Sequence, residues 1–381
     1  MADTNTTALA GLVKTAYDRY VEFALRSQPL VRSVADKRPA QQAMPGSSVV
    51  FSLYNDLAAA TSALSEATDP DAVALSDVST TSVTLAEYGN ASLVTRKLQL
   101  FSLSDVDPAV ADIIAYNMAD SLDKLAMETL RQGTNVIYGG SVTSTATVSS
   151  ADTLTSAKIR RAVAKLRSNK AVPRQGSLYW CGIHPEVSHD LRAETGSVGW
   201  RDIHAQTDSA QGNLWAGTIG TYEGAFFVET PRMYEKAEGA NQSTFTTTTA
   251  ATGASGTTTI TVASTSGIDV GDGVAISATT GASTLVSAIN GAVLTLSVAT
   301  TAAVTSGATV TVTPKTNVYR TILCGKQALA EAVAQEPGVV IGPVTDKLMR
   351  FRPIGWYGVL GFARYRDDAL FRIETSSSIS D

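Results

Sequence analysis

Residues 105–131 read DVDPAVADIIAYNMADSLDKLAMETLR, and this stretch decides the fold. Val110, Ile113, Ile114, Met118, Leu122, Leu125 and Leu130 recur at helical spacing and predict one apolar face. Asp105 or Asp107 can cap the first turn, which Pro108 suits. Asp112 and Asp120 toward the start and Arg131 at the end agree with the helix dipole, and Gly133 stops the helix. About 25 residues at 1.5 Å each give a rod of roughly 38 Å. A rod of that length crosses a whole domain.

On its N-terminal side, residues 47–101 hold two strand-like stretches, SSVVFSLYN and TSVTLAEYGNASLVTRKLQLF. Val83, Leu85, Leu93, Thr95 and Lys97 alternate as in half-buried strands. Between the two lies a polar, acidic segment, about 56–80, that predicts a projecting loop. Further upstream, Leu9, Leu12, Val13, Ala16, Tyr20, Phe23 and Ala24 predict an amphipathic helix over 9–26, ended by Gln28 and Pro29. Leu30, Val31 and Val34 form a short apolar group, and KRPAQQAMPGSS reads as extended.

On the C-terminal side, GGSVTSTATVSS suggests a hairpin or extended segment. A basic helix is predicted from about Leu154 to Arg167, with Ile159, Val163 and Leu166 facing inward. Lys158, Arg160, Arg161, Lys165 and Arg167 lie around its remaining surface, with Lys170 just beyond. SLYWCGI begins a mixed α+β region, and AFFVETPRM and VYRTILCG read as strands. KQALAEAV reads as a short helix; RPIGWYGVLGFARYR and ALFRIET are strand-like.

Between AFFVETPRM and VYRTILCG lies a run of Thr, Ala, Gly, Ser and Val. From Gly239 to Pro314 its only ionisable side chains are Asp269 and Asp272. Alternating segments such as DGVAISA, AVLTLSV and ATVTVTP predict a small all-β module. The body resumes after it, so the module is an insertion whose two ends must lie close together.

The chain has 381 residues, a formal charge of −5 and two cysteines. A net acidic balance argues against a free nucleic-acid binder, and two cysteines do not make a disulfide framework. Cys181 and Cys324 sit in apolar runs and read as buried thiols. No run reaches the roughly 18–20 apolar residues that span a bilayer. The N-terminus lacks the basic start of a signal peptide, which points to synthesis and folding in the cytosol.

Chemistry-bearing motifs are sparse. His184 and His189 are five residues apart across Pro185, which does not reproduce the i,i+4 pair of a zinc helix. VGDG at 270–273 is short of a calcium loop and reads as a turn. No nucleophile elbow, dinucleotide fingerprint or Walker A sequence occurs. No catalytic, cofactor-binding or metal residue is therefore assigned. A hydrolase using the Cys181 to His204 region remains an alternative. The basic helix is the best nucleic-acid signal, able to touch phosphates without reading bases. Contact with an acidic protein face is favoured, because the chain is acidic overall.

An extended arm, a projecting loop, a rigid rod and a surface insertion together suit a repeating shell subunit better than an enzyme. Extended segments bury little alone and are stabilised when a partner covers them. The sequence resembles the major capsid proteins of tailed bacteriophages with the Hong Kong 97-type fold, and more narrowly the family named for the coat protein of the phage called N-four. The stretches that carry the resemblance are YDRYVEFALRSQPLVRSVADKR, GSSVVFSLYNDL, LVTRKLQLFSLSDVDPAVADIIAYNMADSLDKLAMETL, HPEVSHDL, GTIGTYEGAFFVET and WYGVLGFARYRDDALFRIET.

The resemblance implies an α+β fold with an N-terminal arm over 1–40 and an extended loop with its strands over 41–100. It implies a peripheral domain over 101–176 built on the spine helix, an axial domain from 177–240 and 316–345, the inserted module at 241–315, and closing strands and tail at 346–381. It further implies hexamers and pentamers of the chain tiling an icosahedral shell, with non-specific contact to packaged double-stranded DNA. A portal protein and scaffolding, cement or decoration proteins are implied partners, and no membrane. Assembly would occur in the bacterial cytoplasm and the product would be the virion capsid. Candidate inter-subunit contacts are Tyr17, Tyr20, Phe23, Arg26, Phe51, Tyr54, Glu66 and Asp69, with the basic helix as a second contact surface. Removal of residues 1–35 is expected to abolish particles and leave a soluble subunit. Another phage structural subunit, of a tail or of decoration, is the alternative within the same class.

Overall fold

A computed structural model describes residues 28–39, 48–53, 57, 59–61, 63, 79–101, 106–194, 218–233, 235–276, 284–343, 348 and 350–379. The described chain starts with a 3-10 turn, Val31–Val34, and β1 (Asp36–Pro39). β2 (Ser48–Leu53), β3 (Ser79–Thr84) and β4 (Ala86–Thr95) lead into α1 (Arg96–Phe101) and α2 (Val106–Leu130). Next come β5 (Val136–Tyr138), α3 (Ser156–Ser168), β6 (Tyr179–Ile183), α4 (Pro185–Ala193), β7 (Thr218–Tyr222), β8 (Ala225–Glu229) and β9 (Glu235–Asn241). The inserted set is β10 (Phe245–Thr248), β11 (Thr259–Thr261), β12 (Gly273–Ile276), β13 (Val286–Asn290), β14 (Val293–Leu296) and β15 (Thr309–Thr313). β16 (Lys315–Cys324), β17 (Leu329–Ile341), β18 (Phe351–Arg364) and β19 (Leu370–Thr375) close the fold.

Two sheets form the body. One has the order β5-β19-β16-β6-β8-β7, with β9 also on β16; the other has the order β1-β17-β18-β4. Alternate side chains of the larger sheet face two cores. Cys181, Ile183, Phe227, Leu323 and Ile373 pack under α3 and α4, against Ile159, Val163, Leu166, Val187 and Leu191. Trp180, Phe226, Val228, Ile322 and Cys324 pack on the other side, against Ala126, Met127 and Leu130 of α2 and against Val31 and Val34. Because both faces are covered, β6 is buried at every position.

α2 spans both sheets. Its N-terminal half places Val110, Ile114 and Met118 against Val94, Ile354 and Trp356 of the four-stranded sheet, and Leu122 meets Val333 and Leu360. The helix is 25 residues long, as its pattern predicts. Ile113, expected on the buried face, is 50% exposed instead; the buried stripe runs through Ile114, Leu122, Ala126, Met127 and Leu130.

Three local expectations change. KQALAEAV is not a helix: Gln327 turns the chain at φ 65°, and Leu329–Val333 is buried between β1 and β18 in a ladder with each. Tertiary pairing overrides the helix propensity of its alanines. RKLQLF leaves the strand as α1, where Leu98 N–H donates to Thr95 Oγ1 at 3.2 Å. GGSVTSTATVSS holds a single 3-10 turn, Thr145–Thr147, and no strand.

The insertion is a compact β unit with its own core. Ile260, Val274, Ile276, Val286, Leu294, Leu296, Val310 and Val312 fill the space between two three-stranded sheets. Its ends adjoin, as expected of an insertion: Asn241 faces Lys315 in the β9–β16 ladder, and Gln242 N–H donates to Pro314 O at 2.7 Å. Asp272, 1% exposed, accepts from Lys315 N–H at 2.9 Å and from Asp269 N–H at 2.8 Å. The two aspartates thus form a turn at the neck, and burial pushes the Asp272 carboxyl up from its usual range. Gly271, at φ 115°, lies so close to Ala237 that a Cβ would sit 2.5 Å from the Ala237 carbonyl.

Buried charge is paired across the body. Glu374, fully buried, accepts from Arg320 Nε at 3.0 Å and from Thr145 Oγ1 at 2.5 Å, and pairs with Arg372 at 3.1 Å. Arg320 also reaches Glu238 at 2.9 Å, beside the module's neck. Removing one member of a buried pair costs about 3–5 kcal/mol. Glu374→Gln is expected to lower stability by about that amount in chemical unfolding of the purified subunit, because the Arg372 guanidinium loses its carboxylate and Arg320 keeps only Glu238.

Candidate assembly surfaces

Four features of the body bear on contact with other chains. The first is the root of the N-terminal segment. Val31 is fully buried and Val34 is 1% exposed, both inside the core beneath α2. Arg32 donates through Nε to buried Glu331 at 2.9 Å, and its backbone N–H donates to Asp123 at 2.9 Å. Asp123 is further held by Arg232, which also contacts Asp120 at 2.6 Å and Tyr116 at 2.8 Å. Burial pushes the Asp123 carboxyl up, and the Arg32 backbone bond and Arg232 partly offset it. Residues 36–39 then pair in parallel with Ala330–Val333. Residues 31–39 are therefore part of the body, and an arm that reaches elsewhere has to lie upstream of them.

The second feature is the far end of the four-stranded sheet. On the face away from α2, Leu93 pairs with Pro353, Gly355 with Val340 and Ala91, and Tyr357 with Gly338 and Gly89. Three glycines flatten this face, while Leu93 is 62% and Val340 52% exposed. Leu98, Leu100, Ile113 and Ile341 are also exposed apolar side chains elsewhere on the body. Sequence reading missed this surface. Its signal was in the sequence, since Leu93 and Val340 stand among small residues in strands that alternate, but only register brings them together.

The third is α3. Its inward face is Ile159, Ala162, Val163 and Leu166. Thr155 makes no side-chain cap there; instead Ser156 N–H donates to Glu194 Oε2 at 2.8 Å. Lys158 donates to Gly140 O at 2.5 Å, and Arg160 pairs with Glu223 at 3.3 Å. The Arg167 guanidinium lies against Gly224. Arg161 and Lys165 are exposed and have no ionic partner among the described residues.

The fourth is the pair β2–β3, joined in register from Ser48–Thr84 to Leu53–Ser79. Phe51 requires a correction. It is 2% exposed and packs with Val83, Ala330 and Ala332, its ring 5.4 Å from that of Tyr365. Its side chain is consumed inside its own chain and has no area left for a neighbour. Tyr17, Tyr20, Phe23, Arg26, Tyr54, Glu66 and Asp69, with the 9–26 helix and most of the 56–80 loop, lie outside the described residues.

Of the residues weighed for catalysis, His184 has a structural role. His184 caps α4 through its ring, accepting from Glu186 N–H at 3.4 Å, and lies 5.0 Å from the Tyr319 ring. His189 sits beside Asp190 at 3.4 Å; His204 lies outside the described residues. Cys181 is fully buried and its thiol is pushed well up by burial, the opposite of an activated nucleophile. Cys181 and Cys324 point into cores on opposite faces of the sheet. Among the described residues no three potential ligands gather to hold a metal, and no helix is long and apolar enough to cross a membrane.

The chain folds as a two-sheet α+β body sharing one long helix, with an exposed apolar face on its four-stranded sheet. Residues 127–379 match the family model described as phage capsid protein, and the chain belongs to that family. No curated protein sequence matches it. Among solved structures it is similar to the capsid of Ralstonia phage GP4, with TM-score 0.64 and 12% identity over 100% of both chains. It is also similar to the cyanophage Pam1 capsid subunit, with TM-score 0.62 and 14% identity over 100% of both chains. The acidic stable capsid of Helicobacter pylori bacteriophage KHP30 gives TM-score 0.60 and 14% identity over 99% of each. The α+β fold is thus that of Hong Kong 97-type capsid proteins.

Burial predicts the behaviour of the two thiols. Desolvation pushes Cys324 up to about 12, so neither sulfur is a thiolate near neutral pH. A thiol-specific reagent at pH 8 is expected to label neither cysteine in the native chain and both after unfolding.

Proposed function

We propose that this chain is the major shell subunit of a tailed double-stranded DNA bacteriophage and self-assembles as hexamers and pentamers into an icosahedral capsid. The observation that carries the proposal is the family match over 127–379 together with whole-chain likeness to three phage capsid subunits. The four-stranded sheet with the first half of α2 is assigned to the peripheral domain, and the seven-stranded sheet with α3 and α4 to the axial domain, which moves α3 out of the 101–176 peripheral span. Residues 41–100 supply the extended loop, whose returning strand β4 enters the peripheral sheet. The module at 241–315 projects from the axial sheet and decorates the shell surface.

The mechanism is multivalent closure: many modest contacts, repeated by symmetry, become cooperative. The flat face around Leu93 and Val340 is the natural place for one such contact, because an exposed apolar face of this kind is stabilised by being covered. Arg161 and Lys165 of α3 are the cations with charge to spare for an acidic neighbour, and phosphate is the other partner that fits them. Packaged DNA, a portal protein and scaffolding or cement proteins complete the set of partners this role entails, and the host cytoplasm is where assembly takes place.

The buried root of the N-terminal segment moves the boundary of a useful truncation. Removing residues 1–35 takes away Val31, Val34 and the counter-charge of Glu331, so the subunit itself should lose stability. Each buried valine contributes roughly 1.5–3 kcal/mol. Removing residues 1–27 leaves that core whole. Electron microscopy of the expressed full chain should show closed shells, the 28–381 chain should remain a folded subunit without regular shells, and tubes or spikes from the full chain would overturn the assignment. Leu93→Asp is expected to leave the monomer's melting temperature unchanged while reducing the yield of particles at least tenfold; full particle yield would remove that face from the assembly contacts. Arg161→Glu with Lys165→Glu separates the two readings of α3: lost assembly of empty shells marks a protein contact, and intact shells that package less DNA mark a phosphate contact.

A further inference from the structure

Among the described residues β4 is the longest strand that ends a sheet. β18 pairs with one side of it, and no described strand pairs with the other. Exposed edges are usually blunted by shortness, charge, proline or a bulge. The other edges of the two body sheets follow that rule. β5 has three residues, β1 has four and closes on Pro39, and β7 and β9 each carry a register shift. β4 does not follow it. Its ten residues run in unbroken register with β18, and Tyr88 to Thr95 holds no charge and no proline. Gly89, Asn90, Ala91, Ser92 and Leu93 are exposed in succession, whichever face each one takes. α2 rests on Ile354, Trp356, Leu360 and Val333 of the inner strands and reaches β4 from one face only, through Tyr88, Asn90 and Val94. The charges lie at the two ends. Glu87 stands at the start of the strand, where its neighbour is the neutral Tyr357 hydroxyl. Arg96 and Lys97 stand just past the end, both exposed. None of the three has an ionic partner among the described residues.

We propose that the free edge of β4 docks β4 of a second copy of this chain, the two strands running antiparallel about a local two-fold axis near Ala91 or Ser92. The inference rests on the self-assembly proposed above and names one surface through which it acts. Charge selects both the partner and the direction. A neutral strand with a carboxylate at one end and two cations at the other is complementary to itself when reversed: each Glu87 then approaches Arg96 and Lys97 of the other copy. Parallel pairing sets Glu87 against Glu87 and cations against cations, which disfavours it. An edge that meets its own copy is an isologous contact, the kind that closes under two-fold symmetry. Affinity comes from main-chain hydrogen bonds, as in other cases of strand addition, and the end charges set register. An axis normal to the sheet keeps both α2 helices on one face, each over its own inner strands, and the two four-stranded sheets become one.

The test uses the expressed full chain with single cysteines introduced along β4; the two native thiols are buried and take no part. Under mild oxidation of assembled material, Ala91→Cys or Ser92→Cys is expected to give disulfide-linked dimers on a non-reducing gel, because residues opposed across paired strands lie within disulfide reach. Glu87→Cys should not link to itself, and should link to Lys97→Cys when the two chains are assembled together. Glu87→Lys alone, and Arg96→Glu with Lys97→Glu, should each lower the particle yield at least tenfold, since like charges then meet across the contact. All three substitutions in one chain should restore the yield to within about threefold. Self-linkage of Glu87→Cys, closed shells in which neither Ala91→Cys nor Ser92→Cys links to itself, or no recovery in the triple variant would each overturn the pairing and leave the shell reading standing. Dimers linked at Ala91→Cys or Ser92→Cys, from a full chain that never forms closed shells, would support the pairing and overturn the shell reading alone.

Discussion

The structure depends on one shared burial. Each of the two sheets of the body is completed by a different half of α2. Ile114 and Met118 close the four-stranded sheet, while Ala126, Met127 and Leu130 close one face of the seven-stranded sheet. A helix can serve two cores only if it is long and straight and if its apolar stripe persists over the whole length. At the middle of the rod, where the cores meet, the helix turns polar: Asn117 accepts from Trp356 Nε1 at 2.9 Å, and Asp120 and Asp123 take Arg232. These directional contacts fix the rotation of α2 against both sheets, which apolar packing alone specifies less tightly.

The same seam holds the start of the described chain to the body. Asp123 receives the Arg32 backbone, and Glu331, without any exposed area, receives its side chain. An unpaired carboxylate at either position would be costly, so the root is held by charge as well as by Val31 and Val34. The body thus carries a fixed point at residues 31–39. A shell subunit needs such a point: a reaching segment transmits binding energy only if its near end is anchored.

Much of this was readable from residue pattern. The bounds of α2, the inward face of α3, the strands at 315–324 and 351–375, and an insertion with adjoining ends all follow from periodicity and from the placement of charge. What was not readable depends on distant partners. Arg32 and Glu331 are 299 positions apart, and no local spacing joins them. LAEAV looks like helix because alanine favours helix in isolation; here it is a central strand, buried on both faces, where periodicity carries no information. Phe51 looked like a contact residue because it is aromatic and lies beside a loop, yet Tyr365 and Val83 already cover it. His184, which the spacing across Pro185 argues against as a ligand, is a helix cap, a role that needs only its position before Pro185. The open face around Leu93 emerged only from register, since its members come from three strands.

One consequence of the module's attachment is mechanical. β16 begins at the neck, beside Asn241, and ends as Cys324 in the core beneath α2. Between those points it is bonded to β9, β19 and β6. A pull on the module is therefore not borne by a loose tether. It runs along β16 as shear over several ladders and arrives near the middle of the subunit. Whatever grips the module grips the frame of the protein.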